Sequence, residues 1–325
     1  MAVGEGRGKL LLFGEHSAVY GYPAVGIQLD RGLRLELEER PADEWFLPEL
    51  EPGAAKMIAE ALERLPHVCD SRARAEARSR QSRGRRVTLT SIDGDLPMSM
   101  GFGSSAAFCT ALVRAYAPAL ATDAHALWRA AHELEHIFHG SPSGIDTGLA
   151  VFPGASLIRP RPSGSERGAS ADYELPTREA VTLPPAALLV GALPREESTA
   201  ELIAGLREQK RERPRFVGSR MERLGRIAEH GAGAASRDEL GRLADEAHAL
   251  LRELGLSTPS LDELLEYVRG FGAVGAKLSG AGGGGAFYAV FADREGALRA
   301  AESIKKNGLP YLSVEETVNL QHKTY

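Results

Sequence analysis

Residues 97–107 read PMSMGFGSSAA, and an apolar segment with helical spacing continues from Ala106 to Tyr116. Glycines let a backbone approach an anion closely and turn several N–H groups toward it. A helix that begins at this point adds the positive end of its dipole. Ser104 and Ser105 offer hydroxyl groups to a phosphate or a metal ion. The pattern predicts a phosphate-binding loop, although it is not the Walker motif, because no Gly-Lys-Ser/Thr follows.

Two other segments are rich in glycine. Residues 277–285 read KLSGAGGGG, and a plain hairpin needs only one or two glycines. We therefore expect this loop to lie against another backbone or a ligand rather than to be a simple turn. Residues 8–16 read GKLLLFGEH, which places Lys9 at the start of a buried strand and the pair Glu15–His16 just past its end.

Two acidic residues lie between these segments. Glu135 falls in the last turn of a helix predicted over residues 123–138, where the helix dipole disfavours a carboxylate, and this indicates a role for it. Asp146 follows a turn and precedes an apolar run at residues 149–152. The two acids could converge on a metal ion and a proton. The alternative, one acid at a helix end and one in a turn, would be preferred if there were no phosphate loop.

Composition describes an ordinary globular protein. The 325 residues are 43% hydrophobic and 26% charged, and no apolar run is long enough to cross a membrane. The net charge of −5 argues against general nucleic-acid binding. Cys69 and Cys109 form neither a disulfide framework nor a metal-ligand pattern, and the N-terminus lacks the features of a signal peptide. We expect a reducing, cytoplasmic location.

One stretch departs from the acidic balance, since residues 72–86 contain seven arginines. The interpretation we favour is a solvated helix end and loop. The alternative is a patch that faces a polyanion or a nucleotide. No aromatic residue alternates with these arginines, which argues against a stacking platform for single-stranded nucleic acid.

Strand-like and helix-like segments are mixed along the chain, which predicts an α+β protein. A new buried strand begins at Ala186, so we place a domain boundary just before it and predict domains at residues 1–184 and 185–325. Strands are predicted at residues 9–13, 23–29, 33–39, 85–92, 186–193, 286–291 and 310–314, with one more directly before the glycine-rich loop that ends at Gly285. Helices are predicted at residues 54–65, 106–116, 123–138, 199–229 (more than one), 237–254, 261–270 and 295–307. Residues 159–178 look like a surface excursion.

Taken together, these segments resemble the GHMP kinase superfamily and, within it, the mevalonate kinase family. The lysine, apolar strand and Gly-Glu-His of the first family motif match residues 9–16. The Pro-x-x-x-Gly-Leu-Gly-Ser-Ser-Ala loop matches residues 97–106, and the third motif matches residues 277–285. Residues 139–146, HGSPSGID, look like the His-Gly-x-Pro-Ser-Gly-x-Asp of mevalonate kinases. Further matches at residues 199–205 and 254–262 extend the similarity to nearly the whole chain.

The resemblance implies a two-domain fold, an N-terminal ribosomal-S5-like domain that carries the phosphate loop and a C-terminal ferredoxin-like domain. It implies transfer of the ATP γ-phosphate to the 5-hydroxyl of mevalonate, with Mg²⁺ as cofactor. Asp146 would be the general base, and Lys9 would favour the developing alkoxide and keep Asp146 ionised. Ser105 and Glu135 would hold Mg²⁺ between the β- and γ-phosphates. A homodimer is compatible with the family.

The remaining roles carried over by the resemblance concern the nucleotide and the acceptor. The phosphates would be contacted by Pro97, Gly101, Gly103, Ser104, Ser105 and Ala106. The acceptor side would be lined by Glu15, His16, Phe138, Thr199, Gly282 and Gly283.

Some residues depart from the family pattern. Gly6-Arg7 replaces the usual Ala-Pro, Ser99 stands where a glycine is common, and Phe102 stands where leucine is usual. Phe138 replaces a smaller aliphatic residue, which puts the shape of the acceptor pocket in question. Three alternatives remain open: phosphomevalonate kinase, galactokinase, and a catalytically silent nucleotide-binding regulator on the same fold. Ser17-Ala18 after Gly-Glu-His weaken the galactokinase alternative, because galactokinases have Thr-Asp there.

Overall fold

A computed structural model describes residues 1–43, 52–69, 71–160, 175–306, 308–309 and 311–317. Its strands are β1 (Ala2–Phe13), β2 (Ala24–Pro41), β3 (Arg85–Gly94), β4 (Ala155–Arg159), β5 (Thr177–Val181), β6 (Ala187–Leu193), β7 (Gly275–Leu278), β8 (Gly285–Phe291) and β9 (Tyr311–Glu316). Its helices are α1 (Pro52–Val68), α2 (Ser71–Ser82), α3 (Ser104–Tyr116), α4 (Ala124–His139), α5 (Ile145–Val151), α6 (Thr199–Glu212), α7 (Pro214–Ala232), α8 (Arg237–Glu253), α9 (Pro259–Arg269) and α10 (Arg294–Lys305). The predicted α+β class is confirmed.

Two sheets organise these elements. The first has the order β1-β2-β4-β5, with β3 paired to β2, and the second is a four-stranded sheet of order β7-β8-β6-β9. The pairs of the second sheet are antiparallel, and β8 lies against nearly the whole of β6, from Gly285 opposite Leu193 to Phe291 opposite Ala187. All seven residues of β8 are buried, so this strand forms the centre of the second sheet's core.

By compactness the chain divides into two units, and β1, β2 and the phosphate loop each contribute residues to both. Unit 1 comprises residues 1–8, 29–96 and 103–152. Its core is the helix pair α3 and α4, with Trp128 fully buried. Helix α3 packs closely on β1, because a Cβ atom at Gly6 would lie 1.8 Å from the carbonyl oxygen of Ala107. A glycine at position 6 therefore permits this contact, which accounts for one departure from the family pattern.

Unit 2 comprises residues 9–28, 97–102 and 153–325. Helices α8 and α9 pack on β7, and α10 packs on β6 and β9. Helix α9 begins at Thr258, whose hydroxyl accepts a hydrogen bond from the backbone N–H of Leu261, and α6 begins with a capping box formed by Ser198 and Glu201. The domain boundary predicted at residue 184 stays a prediction, since these compact units do not test it.

Most predicted elements are present, with two corrections. The strands predicted at residues 23–29 and 33–39 are one strand, β2, because the polar residues between them stay extended. Asp95 keeps these residues extended, because it pairs with Arg31 and accepts a hydrogen bond from the N–H of Gly32 at 3.1 Å. The arginine-rich stretch is a regular helix, α2, followed by β3, rather than a helix end and loop. Its Arg, Ala, Glu and Gln residues favour helix, but they carry no apolar periodicity that would reveal one.

The sequence-based prediction omitted three short elements, α5, β4 and β5. Most of the surface excursion predicted at residues 159–178 lies outside the described residues. Across the described residues, no helix is both long enough and apolar enough to span a bilayer.

Candidate active site

In unit 1 the second half of the phosphate loop leads into α3. Gly103 is the residue before the helix and has φ 69°. Since glycine has no side chain, the N-cap residue offers no side-chain acceptor to the first N–H groups of α3. Ser104 and Ser105 occupy the first turn and are half-exposed, whereas Ala106 is buried. The helix start thus presents two hydroxyls where anions commonly bind, and the predicted phosphate-binding role of this loop stays a prediction.

Helices α3 and α4 contact each other through two pairs of side chains. The Ser105 hydroxyl shares a hydrogen bond of 2.9 Å with Nε2 of His139. One turn further, the rings of Phe108 and Phe138 contact edge to face with centroids 5.7 Å apart. Burial, and secondarily the charge of Glu135, raises the pKa of the Cys109 thiol well above its ordinary value. Ser105 and Phe138 therefore lie along one helix interface, and the charge of Glu135 on α4 acts on Cys109 of α3.

The predicted metal ligands lie at this interface. Glu135 is 1% exposed and Ser105 is half-exposed, and both supply oxygen, the donor type that Mg²⁺ prefers. Among the described residues, no group of three or more His, Cys, Asp or Glu side chains could hold a metal ion alone. A hydroxyl and a carboxylate fit a metal ion that takes its other ligands from water and substrate phosphates, as Mg²⁺ commonly does.

Asp146 lies in the first turn of α5, and the turn before it is firmly held. The indole N–H of Trp128 donates to the carbonyl oxygen of Gly144 at 2.9 Å, and the Thr147 hydroxyl donates to the same oxygen at 3.2 Å. Gly144 has φ 77°, in the left-handed region. Asp146 itself is half-buried. The buried Trp128 therefore fixes the backbone that carries this carboxylate.

In unit 2, Lys9 lies beside the first half of the phosphate loop. Its side chain is 3% exposed, and its backbone N–H donates to the carbonyl oxygen of Phe102 at 2.9 Å. The Phe102 ring is fully buried and lies 4.6 Å, between centroids, from the ring of Tyr311. Phenylalanine at position 102 therefore anchors the loop on β9. Ser99 has φ 61°, a left-handed conformation that explains why glycine is common at this position.

Glu15 and His16 are held by residues of the third glycine-rich segment. Glu15 pairs with Lys277, and burial raises the pKa of the Glu15 carboxyl although the positive charge of Lys277 lowers it. His16 donates from Nε2 to the carbonyl oxygen of Ala281 at 2.8 Å. Burial, opposed by this hydrogen bond, lowers the pKa of His16, and the charge of Lys277 lowers it further. The imidazole is therefore the neutral form near pH 7.

The third glycine-rich segment lies against other backbone, as predicted. All five of its glycines, at positions 280 and 282–285, have positive φ. A Cβ atom at Gly282 would lie 2.0 Å from the carbonyl oxygen of Leu256, and one at Gly284 would lie 2.4 Å from that of Pro194. The loop is fastened by hydrogen bonds from Gly283 N to Leu256 O (3.0 Å) and from Glu196 N to Gly283 O (2.8 Å).

Arg195 is a further candidate site residue, which the sequence-based predictions did not include. Its Nη1 donates to the Thr199 hydroxyl at 2.6 Å, and its guanidinium lies against both Gly101 and Gly285. The side chain is half-buried, burial lowers its pKa, and its Nε has no hydrogen-bond partner among the described residues. The signal was a charged residue two positions after the buried strand β6. Arg195 brings a positive charge to the point where two glycine-rich segments and Thr199 meet.

The predicted site residues therefore fall into two sets. Unit 1 holds Gly103, Ser104, Ser105, Ala106, Glu135, Phe138 and Asp146. Unit 2 holds Lys9, Glu15, His16, Pro97, Gly101, Thr199, Gly282 and Gly283. Within unit 2, Thr199 contacts Arg195, and Glu15 and His16 contact the third glycine-rich segment.

Comparison with known proteins places this arrangement in a family. The family model described as GHMP kinases N terminal domain matches residues 59–154, and the one described as GHMP kinases C terminal matches residues 228–309. The mevalonate kinase of Thermococcus gammatolerans is 30% identical over 331 residues, covering 94% of this chain and 93% of that protein. The mevalonate kinase of Pyrococcus horikoshii is 30% identical over 329 residues, covering 94% and 92%.

Solved structures agree with the fold. The structure of L. major mevalonate kinase in complex with R-mevalonate matches with a TM-score of 0.74 and 23% identity, covering 97% of this chain and 95% of that one. A Streptococcus pneumoniae phosphomevalonate kinase in complex with phosphomevalonate and AMPPNP matches with a TM-score of 0.70 and 19% identity, covering 97% and 100%. The chain has the two-domain fold of these kinases, belongs to the GHMP kinase superfamily, and resembles its mevalonate kinases.

Proposed function

We propose that this protein is a mevalonate kinase, which transfers the γ-phosphate of ATP to the 5-hydroxyl of mevalonate and so serves isoprenoid synthesis. The observation that carries the choice of acceptor is the 30% identity, along 94% of the chain, with proteins named mevalonate kinase. The segment HGSPSGID at residues 139–146 supports the same choice. Membership of the kinase superfamily supports ATP as the phosphate donor.

The proposed chemistry gives each residue the role that the family resemblance implies. Asp146 takes the proton from the 5-hydroxyl as its oxygen bonds to the γ-phosphorus, and the bond from that phosphorus to the bridging oxygen of ADP breaks. Lys9 stabilises the negative charge that develops on the attacking oxygen. The first turn of α3, with Gly103, Ser104 and Ser105, binds the phosphates.

When bound, Mg²⁺ would neutralise part of the negative charge of the ATP phosphates. Ser105 and Glu135 are the residues we propose to hold it, since both present oxygen at the α3–α4 interface. The hydrogen bond between Ser105 and His139 orients the Ser105 hydroxyl for this role. We add Arg195 to the residues proposed for the acceptor side, because its positive charge can bind the phosphate during transfer. The others are Glu15, His16, Phe138, Thr199, Gly282 and Gly283.

The test is an assay of ADP release by the purified protein with ATP, Mg²⁺ and one acceptor at a time. Mevalonate should stimulate turnover, and phosphomevalonate, galactose and homoserine should not. Asp146→Asn should lower kcat by roughly 10²–10⁴-fold, the usual contribution of a general base, while ADP binding stays within twofold. Glu60→Gln, an exposed acid on α1, is the matched control and should leave both unchanged.

Each failure identifies a different error. Turnover with phosphomevalonate or galactose in place of mevalonate would contradict the acceptor. Nucleotide binding without turnover on any acceptor would indicate a regulator on the same fold. Full activity of Asp146→Asn would reject Asp146 as the base.

A further inference from the structure

Unit 1 contains an open cavity of about 440 Å³ lined by residues of α1, α2, the start of β3 and the end of α3. This volume is in the range of small-molecule binding sites. The polar part of its wall is dominated by five arginines at positions 74, 78, 80, 85 and 86 together with His67, and Glu63 is its carboxylate. The remainder is mainly apolar, with Leu62 and Val87 as its larger members. The cavity thus combines excess positive charge with an apolar surface.

Nearby acids neutralise only part of this charge. Glu39 accepts hydrogen bonds from Arg80 at 3.1 Å and from Arg85 at 2.8 Å. Arg74 and Arg78 have no carboxylate within 4.0 Å among the described residues. They are four residues apart on α2, a spacing at which like charges repel and destabilise a helix. An anion between the two guanidinium groups would relieve this repulsion.

An aromatic residue closes the cavity at the end of α3. The Tyr116 hydroxyl accepts a hydrogen bond from Nη1 of Arg80 at 3.2 Å, and the Arg80 guanidinium carbon lies 5.5 Å from the centroid of the tyrosine ring. The ring and the side chains of Leu62 and Val87 offer a surface for the non-polar body of a ligand. Arg74 and Arg78 offer two positive charges that can bind the anionic group of the same ligand.

This cavity is distinct from the phosphate loop. Helix α3 carries Ser104 at its start and Tyr116 at its end, and twelve residues at 1.5 Å each separate them by about 18 Å. Strand β3 likewise runs from Arg85, which lines the cavity, to Gly94 near the loop. A ligand in the cavity would therefore leave the helix start free.

We propose that this cavity binds a small phosphorylated or diphosphorylated organic molecule, with its phosphate between Arg74 and Arg78 and its body against Leu62, Val87 and Tyr116. A concave site of this size suits a small ligand better than a nucleic acid. The absence of aromatic residues among the arginines of residues 72–86 also argues against stacked bases. The proposal does not depend on the acceptor of the kinase reaction.

Isothermal titration calorimetry with phenyl phosphate tests the proposal. Saturating ADP and Mg²⁺ are present throughout, so that the phosphate loop is occupied. We expect saturable binding of one phenyl phosphate per chain, weaker at 250 mM than at 50 mM salt because the charges are screened. Benzyl alcohol, which lacks the phosphate, should bind at least tenfold more weakly.

Two double variants locate the site. Arg74→Gln/Arg78→Gln removes the proposed phosphate contacts and should weaken binding at least tenfold. Arg72→Gln/Arg83→Gln removes the same number of charges from the same segment, but neither residue lines the cavity, so binding should change less than twofold. Thermal unfolding midpoints of both variants should stay close to that of the parent, since glutamine and arginine have similar helix propensities and single charge pairs on a helix surface change stability little.

The proposal is wrong if phenyl phosphate shows no saturable binding, or if both double variants lose affinity equally. It is also wrong if the protein binds a polyphosphate chain but not phenyl phosphate, because the stretch is then a surface for polyanions rather than a pocket.

Discussion

Glu15 and Lys277 form an ion pair with both side chains buried, 2% and 0% exposed, although 262 residues separate them in sequence. Lys277 also donates to the carbonyl oxygen of Leu278 at 2.6 Å and lies 5.4 Å from the centroid of the Tyr288 ring. The pair joins the segment after β1 to β7. Two charges without water depend on each other, because each would be costly to bury alone.

Lys277→Met should therefore destabilise the protein by about 3–5 kcal/mol, since it leaves the Glu15 carboxylate buried without its partner. The double variant Glu15→Gln/Lys277→Met should lose less than the sum of the two single variants, because the charge and its partner are removed together. Urea unfolding at pH 7 measures both. Lys305→Met, an exposed lysine on α10, is the control and should change stability by less than about 0.5 kcal/mol. Additive effects of the two single variants would contradict the coupling.

Gly282→Ala tests how tightly the third glycine-rich segment is packed. Gly282 has φ 89°, and an alanine Cβ there would lie 2.0 Å from the carbonyl oxygen of Leu256. We expect a loss of about 3 kcal/mol or more, from backbone strain and overpacking together. Gly272→Ala has nearly the same φ, 94°, with no atom within 4 Å of the new Cβ, so it should lose only about 1–2 kcal/mol. Equal losses in urea unfolding would show that the backbone conformation, not the contact, requires the glycine.

Local sequence patterns predicted much of this protein, since the three glycine-rich segments and most helices and strands lie where they were expected. The glycines at positions 282–285 were predicted to contact another backbone, and that backbone proves to be residues 194–196 and Leu256. Which backbone it is could not be predicted, because the contact joins segments that are distant in sequence.

Arg195 and helix α2 were missed for related reasons. Arg195 resembles any charged residue after a strand until the fold brings Gly101, Gly285 and Thr199 around it. Helix α2 lacks apolar periodicity, so only its helix propensity could have indicated it, and its role in closing the arginine-lined cavity depends on α1 and β3.

Arg195→Gln should lower kcat/KM for mevalonate by roughly 10²–10³-fold, the usual effect of removing one preorganised donor from a site of charge transfer. The effect should fall mainly on kcat if the guanidinium acts on the transferring phosphate, because ground-state binding then changes little. Arg215→Gln, an exposed arginine on α7, should retain parental kinetics. Steady-state assays of ADP release measure both variants. Unchanged kinetics of Arg195→Gln would mean that Arg195 only supports the loop.

Acid should destabilise unit 1 through His132, which is 6% exposed on α4 with its ring centroid 5.0 Å from that of His136. Burial, and secondarily the charge of His136, lowers the pKa of His132 from 6.5 to about 4. The unfolded chain therefore binds a proton between pH 6.5 and pH 4 that the folded protein does not. The contribution of neutral His132 to stability is complete above pH 6.5 and is lost as the pH falls toward 4.

At pH 5 this linkage should cost about 1–2 kcal/mol relative to pH 7. His132→Leu replaces the buried titrating group with a side chain of similar volume. The variant should therefore lose about 1–2 kcal/mol less stability than the parent between pH 7 and pH 5. Urea unfolding of the parent and the variant at pH 7 and pH 5 gives the comparison as a difference of differences. His125→Leu replaces an exposed histidine on the same helix, so it is the control for the loss of a histidine from α4. If the parent and His132→Leu lose equal stability on acidification, His132 does not titrate as its burial requires, and the acid sensitivity belongs to other groups.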